Sequence, residues 1–247
     1  MIKFNGGYIP DPEDKRDFPA TRLLIREVAL PESYIVNPNT IIYDQGQTPK
    51  CVAHSSCGIK TDEEFLEMGQ QLKFDANWLY AECKKIDGIP NEDGTYPRVA
   101  CKIMNQKGCK LIPVSAACPV AWAKPKPPEP TPDEIFKYHI DAYYRIDSKS
   151  TIDFVKQIIF QFGSIETASW WYDNWMAKFD TFPSPSGTAV GGHAYRTIGW
   201  NPLGFVIANS WGKIFWGRNG VATMPYSIFK GVLAEGDCWK IQDHIGK

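Results

Sequence analysis

Between Cys118 and Pro132 the chain reads CPVAWAKPKPPEPTP, with proline at positions 119, 125, 127, 128, 130 and 132. Proline fixes φ and lacks a backbone donor, so this stretch cannot be a helix interior or a central strand. It reads as a connector, and the patterns on its two sides differ. On the N-terminal side, CVAHSSCGIKTDEEFLEMGQQ places Cys51, Ala53, His54, Cys57, Gly58, Phe65 and Met68 at roughly helical spacing, with Pro49 and Lys50 just before the start. DANWLYAECKKI and TYPRVACKIMNQKG predict two more helices, the second with Pro97 in its first turn and Gly108 as its stop. On the C-terminal side, SKSTIDFVKQIIFQFG predicts one helix, capped by a box from Ser150 to Asp153 and ended by Gly163. SIETASWWY, HAYRTIGW, GFVIANSW and GVATMPYS then read as strands between Gly, Pro and Asn turns. The layout is α+β with segregated lobes. It divides into an extended arm over 1–28, a mainly helical lobe over 29–132 and a mainly β lobe over 133–247. A cleft between lobes is a natural place for a site.

Composition narrows the function classes. Of 247 residues, 43% are hydrophobic and 22% charged, as in soluble globular proteins, and the net charge of −1 favours neither nucleic acid nor anionic membrane as a partner. No apolar run approaches spanning length, and MIKFNGGYIPDPEDKRDFPA has no apolar signal core, so a cytoplasmic location is expected. The seven cysteines are an odd number, so at least one thiol is unpaired within the chain. In a reducing compartment most are expected to act as small buried hydrophobes. Cys101, Cys109 and Cys118 are too widely spaced for a zinc site, and neither a metal nor a cofactor is expected.

The stretch DQGQTPKCVAHS, Asp44 to Ser55, leads a cysteine into the first turn of a helix. Unpaired N–H groups and the dipole at a helix start favour a thiolate, and a nearby imidazole stabilises it and later protonates a leaving amine. His193 in VGGHAYRTIGW opens a strand, and Asn209 in ANSWG closes the next, so a hairpin brings them side by side. Asn209 would orient the imidazole, and Trp211 would cover that bond from water. The Gln45 amide would join the Cys51 backbone N–H in holding an oxyanion. Read singly, each residue has a plainer role: a structural helix-start cysteine, a strand-edge histidine. His54, on the helix of Cys51, is expected to pack in the core. Trp170, Trp171 and Trp175 are either a floor for the leaving-group side of the cleft or a plain hydrophobic face.

Gln45-Gly46 before Cys51, then His193-Ala194, then NSWG from Asn209 to Gly212 with WGRNG behind it, resembles the papain family of cysteine peptidases. The Cys51-to-His193 interval lies within the ~130–150 residues usual there, and Asn209 falls slightly beyond it. The resemblance implies a papain-like two-lobe fold, with a helical left lobe, a β-barrel-like right lobe and the cleft between them. It implies peptide-bond hydrolysis through an acyl-enzyme, with Cys51 as nucleophile, His193 as base and acid, Asn209 as orienter and Gln45 as oxyanion donor. It also implies that Gly94 offers backbone hydrogen bonds to an extended peptide or protein substrate. Tyr96, Pro97, Ala168 and Ala194 would line a roomy apolar pocket for the residue two before the scissile bond. The sequence departs from the family at TPK and Val52, where the usual first cysteine and the aromatic after the nucleophile are missing. That departure and the arm resemble the compact bacterial and viral branch, acting in a bacterial cytoplasm or an infected host cell. A silent peptide- or protein-binding module and an acyl-transfer enzyme, a deamidase or transpeptidase, are the alternatives. The arm, long enough to cross the cleft, is expected to occlude it.

Overall fold

The computed structural model describes residues 6–23, 25–112 and 128–243. The proline connector from Cys118 to Pro127 lies outside them, as do Met1–Asn5 of the arm. In chain order the elements are β1 (Tyr34–Ile35), α1 (Cys51–Met68), α2 (Ala76–Lys84), α3 (Pro97–Lys107), α4 (Pro132–Phe136), β2 (Ala142–Arg145), α5 (Ile152–Phe162), β3 (Ile165–Tyr172), β4 (Ala189–Asn201), β5 (Gly204–Ala208), β6 (Val221–Pro225), α6 (Tyr226–Glu235) and β7 (Asp237–Gln242). The strands form one antiparallel sheet in the order β2-β7-β3-β4-β5-β6, with β1 added on β4. The helical side and the sheet side carry separate cores: one around α1 to α3, the other holding Trp171, Trp175, Trp200, Trp211 and Trp216 with α5 and α6. No described helix is long and apolar enough to cross a membrane.

Local chemistry sets the helix ends. Asp75 caps α2 by accepting from the Asn77 and Trp78 amides, both at 3.0 Å. Pro97 opens α3, and Gly108 ends it at φ 85°. The cap of α5 lies one residue later than the expected Ser150–Asp153 box. Thr151 accepts from the Phe154 amide at 3.1 Å, while the Ser150 amide closes a turn onto Asp147. The sequence pattern had no place for α6, β2 or β7. In α6, Ile228, Phe229, Val232 and Leu233 lie at helical spacing, but they follow directly on the strand run ending at Pro225.

Helix α1 is the hinge between the two cores, and every residue from Cys51 to Glu64 is buried. Its charged residues survive burial because each finds a partner, Asp62, Glu63 and Lys60 beyond the helix and Glu64 on Lys60 within it. Arg196 on β4 reaches Asp62 at 2.9 Å, the Gly58 carbonyl at 3.0 Å and the Ile41 carbonyl at 2.7 Å. Gly58 has no side chain because the Arg196 guanidinium occupies that space. Lys240 on β7 pairs with Glu63, and Lys60 pairs with Glu64 and Asp243.

Candidate active site

Cys51 is the first residue of α1, and the helix start has no side-chain cap at Lys50. Its sulfur therefore meets backbone donors, among them the amides of Val52 in its own first turn and Ala194 on β4. His193 is the residue before Ala194, well inside the sheet. The β4–β5 hairpin pairs Arg196 with Ala208, so the chain leaving β5 runs back beside His193. There Nε2 of His193 donates to Oδ1 of Asn209 at 2.8 Å, which assigns the proton to Nε2. Oδ1 also accepts from the Ser210 amide at 2.7 Å, so the Asn209 side chain is held on two sides. Trp171 packs edge-on to the imidazole with centroids 4.8 Å apart, and Trp211 lies at 4.9 Å and 32°. These indoles keep the His193–Asn209 bond dry.

Electrostatically the pair is at rest. Burial pushes the Cys51 thiol up to about 12, opposed by the Ala194 and Gly7 amides. Burial also lowers His193 to about 4, opposed by the Asn209 bond. A helix start alone predicts a depressed thiol. Desolvation outweighs the helix start here, because charged sulfur has no water to face. His54 bonds the Lys50 carbonyl at 2.9 Å through Nδ1 and stacks edgewise on Tyr43, a core role.

Gln45 and Thr48 close a turn ahead of Cys51, and the Gln45 amide is engaged. Nε2 donates to the Thr48 carbonyl at 2.7 Å, and Oε1 accepts from Ser210 at 2.6 Å. One N–H of Nε2 remains for an oxyanion. Of the tryptophans, Trp171 and Trp175 are core beneath His193, and Trp170 is half exposed on the other face of β3.

The arm packs against the same region, and its Gly7 amide reaches the Cys51 sulfur. The Gly7 amide donates to the Gly192 carbonyl at 3.1 Å, the Ile9 amide to the Thr95 carbonyl at 3.2 Å, and the Thr95 amide to the Gly7 carbonyl at 3.0 Å. Tyr8 and Thr95 thus form a parallel bridge, next to the Gly7 amide that reaches the Cys51 sulfur. A Cβ on Gly7 would collide with the Pro49 backbone, one on Gly94 with the Gly7 carbonyl, and one on Gly192 with Tyr8. Three glycines on facing segments give the arm its clearance. Farther along, Asp17 holds Arg98 through two bonds of 2.8 and 2.7 Å. Asp11 accepts from the Arg98 amide at the start of α3 and from the Trp239 indole.

Gly94 lines the channel, but its amide bonds the Tyr80 hydroxyl and its carbonyl takes Lys84. Strand-like pairing with the arm is made by Thr95, while the left-handed turn at Gly94, φ 87°, directs the polar groups of Gly94 to Tyr80 and Lys84. Ala168 and Ala194 do face each other across β3 and β4, and Tyr96 and Pro97 open α3 nearby. The pocket is not simply apolar, however. β7 sets Asp237 beside Ala168, and that carboxylate accepts the Tyr8 hydroxyl at 2.8 Å. Asp237 escaped sequence reasoning because β7 did.

No family's sequence profile matches the chain. A cathepsin B-like cysteine proteinase of Schistosoma japonicum is 29% identical over 137 residues, which is 53% of this chain. The chain spans only 35% of that relative's length. Among solved structures, xylellain, a cysteine protease from Xylella fastidiosa, superposes with a TM-score of 0.78 at 26% identity, over 97% of this chain and 96% of its own. Procathepsin B S9 from Trypanosoma congolense superposes at 0.72 and 18% identity, over 98% and 87%. The α+β two-lobe fold is the papain-like fold of cysteine proteases.

Proposed function

We propose that this chain is a papain-like cysteine endopeptidase, held here in a self-occluded state. The observation that carries the reading is the bond from Nε2 of His193 to Asn209 at 2.8 Å beneath Trp211, beside the strand residue whose amide reaches the Cys51 sulfur. With the arm displaced, water re-enters. The Cys51 pKa then falls from about 12 and the His193 pKa rises from about 4. An imidazolium facing a thiolate becomes the favoured pairing, and Asn209 keeps the ring in the required tautomer. The thiolate attacks a peptide carbonyl. The oxyanion takes the Cys51 amide and the remaining Gln45 N–H, His193 protonates the leaving amine, and a water deprotonated by His193 releases the acid.

The arm is not cut as a substrate because of what it shows the sulfur. The Gly7 carbonyl is turned to Thr95, and the Gly7 N–H edge faces Cys51. Among the described residues of the arm, it is a backbone N–H, that of Gly7, that meets the nucleophile. The arm therefore acts as a built-in inhibitor, and a peptide or protein is the partner it excludes.

Mass spectrometry of a peptide library incubated with the protein tests the reading. New carboxyl and amino termini are expected. Intact peptides with glutamine converted to glutamate, or joined peptides, would instead indicate acyl transfer. Unaltered but retained peptides would indicate a binding module.

A further inference from the structure

We infer that Asp237 is the specificity-determining residue of the cleft and that its pocket takes a tyrosine side chain of the substrate, the seat that Tyr8 holds while the arm is docked. This deepens the endopeptidase reading and rests on it.

The pocket follows from strand register. Asp237 on β7 pairs with Ala168 on β3, which pairs with Ala194 on β4. Directly opposed residues of antiparallel strands point to one face, so these three form a row. Gly192, two residues before Ala194, extends the same face. A glycine and two alanines leave a trough where larger residues would stand, and a carboxylate closes its end. Tyr8 lies against Gly192, where a Cβ would meet its ring, and is 5% exposed. Its hydroxyl ends on Oδ2 of Asp237 at 2.8 Å.

The two oxygens of Asp237 have different tasks. Oδ1 pairs with Arg145, a residue of β2 and not of the arm. Oδ2 takes the Tyr8 hydroxyl and the Asp11 amide, both from the arm. Displacing the arm therefore removes both donors from Oδ2, on a carboxylate whose charge Arg145 already balances. That geometry calls for a neutral donor at the reach of a phenol. A phenylalanine would fill the trough and leave Oδ2 dry and unsatisfied, and a site built around a hydroxyl discriminates against the analogue lacking it.

Two measurements on the full-length protein test this. The first needs no turnover: alkylation of Cys51 by iodoacetamide, read by mass spectrometry of the Cys51 peptide, which requires the arm to open. Tyr8→Phe, which removes only the hydroxyl, and Asp237→Ala are each expected to speed labelling about tenfold. The double variant should label no faster than the quicker single one. Unchanged labelling in Tyr8→Phe, or fully multiplying effects, would overturn the pairing. The second compares kcat/KM for two coumarin amides differing only in Tyr or Phe two residues before the cleaved bond. Both peptides meet the same open fraction, so the ratio is independent of the arm. Tyrosine is expected to lead by about tenfold in the parent protein and to lose that lead in Asp237→Ala. Equal rates in the parent protein would overturn the pocket inference while leaving the peptidase reading intact. Cleavage of neither peptide, with Cys51 still alkylated, would take down the peptidase reading, and the alkylation cycle would then decide the Tyr8–Asp237 pairing by itself.

Discussion

Two seams run through this molecule, and both use charged side chains. The seam between the lobes joins α1 to β4 and β7 through Arg196–Asp62, Lys240–Glu63 and Lys60–Asp243, all buried. The seam between the arm and the cleft uses Arg98–Asp17 and Tyr8–Asp237, with Arg98 and Asp17 partly open to water. Similar chemistry serves opposite ends because burial differs. An ion pair buried on all sides cannot be opened without stranding a charge, whereas one partly open to water, as Arg98–Asp17 is, opens at lower cost. The lobes are thus joined for the life of the fold, and the arm is joined conditionally.

Breaking the first seam should have the largest effect. Arg196→Met strands Asp62 and leaves the Gly58 and Ile41 carbonyls without their donor. A loss of about 3–5 kcal/mol in unfolding free energy is expected, read from the denaturant midpoint. If the midpoint holds, the pair is not what joins the lobes. The second seam should yield to a far smaller change without touching stability. Gly7→Ala drives a methyl into the Pro49 backbone, while the Thr95 ladder prevents the arm from shifting aside. Cys51 alkylation is expected to rise about tenfold, in line with ~1–3 kcal/mol of overpacking, with the midpoint unchanged.

A pH series sharpens the contrast further. Burial first, and then Asp237, pushes the Asp11 carboxyl from 3.8 up to about 7 in the docked arm. A raised acid pKa means that the docked state prefers the protonated form. Docking is thus fully favoured below pH 3.8 and weakens as pH rises towards about 7. Arm opening, followed with a probe that reports the arm and not the thiolate, should increase from pH 4 to pH 7 and level off above it. A decrease over that range would contradict the assignment of Asp11.

The same contrast explains what was legible in the sequence. His193 and Asn209 could be read because a hairpin joins them, so local strand patterns predict their meeting. Pro97 and Gly108 marked the ends of α3 by their own backbone chemistry. Cys51 could be read as a helix-start thiol, but not its raised pKa, which comes from burial that only the folded chain creates. Asp237 could not be read at all. It lies at the start of a strand that alternates poorly, since DCWKIQ is buried along its whole length with Lys240 satisfied by Glu63. Gln45 was legible as a neighbour of Cys51, but its bond to the Thr48 carbonyl belongs to a turn whose sequence, TPK, departs from the family's pattern. Local propensity reveals a residue's element; a pocket floor or a plug is a property of register between distant segments.

The central claim is that Cys51 is the nucleophile and that the arm alone keeps it idle. The most direct test is hydrolysis of a tyrosine-containing peptide amide by the Gly7→Ala protein, with and without Cys51→Ala. Fast turnover and covalent capture by a peptide epoxide, both abolished by Cys51→Ala, is the predicted result. Turnover that persists without the thiol would contradict it.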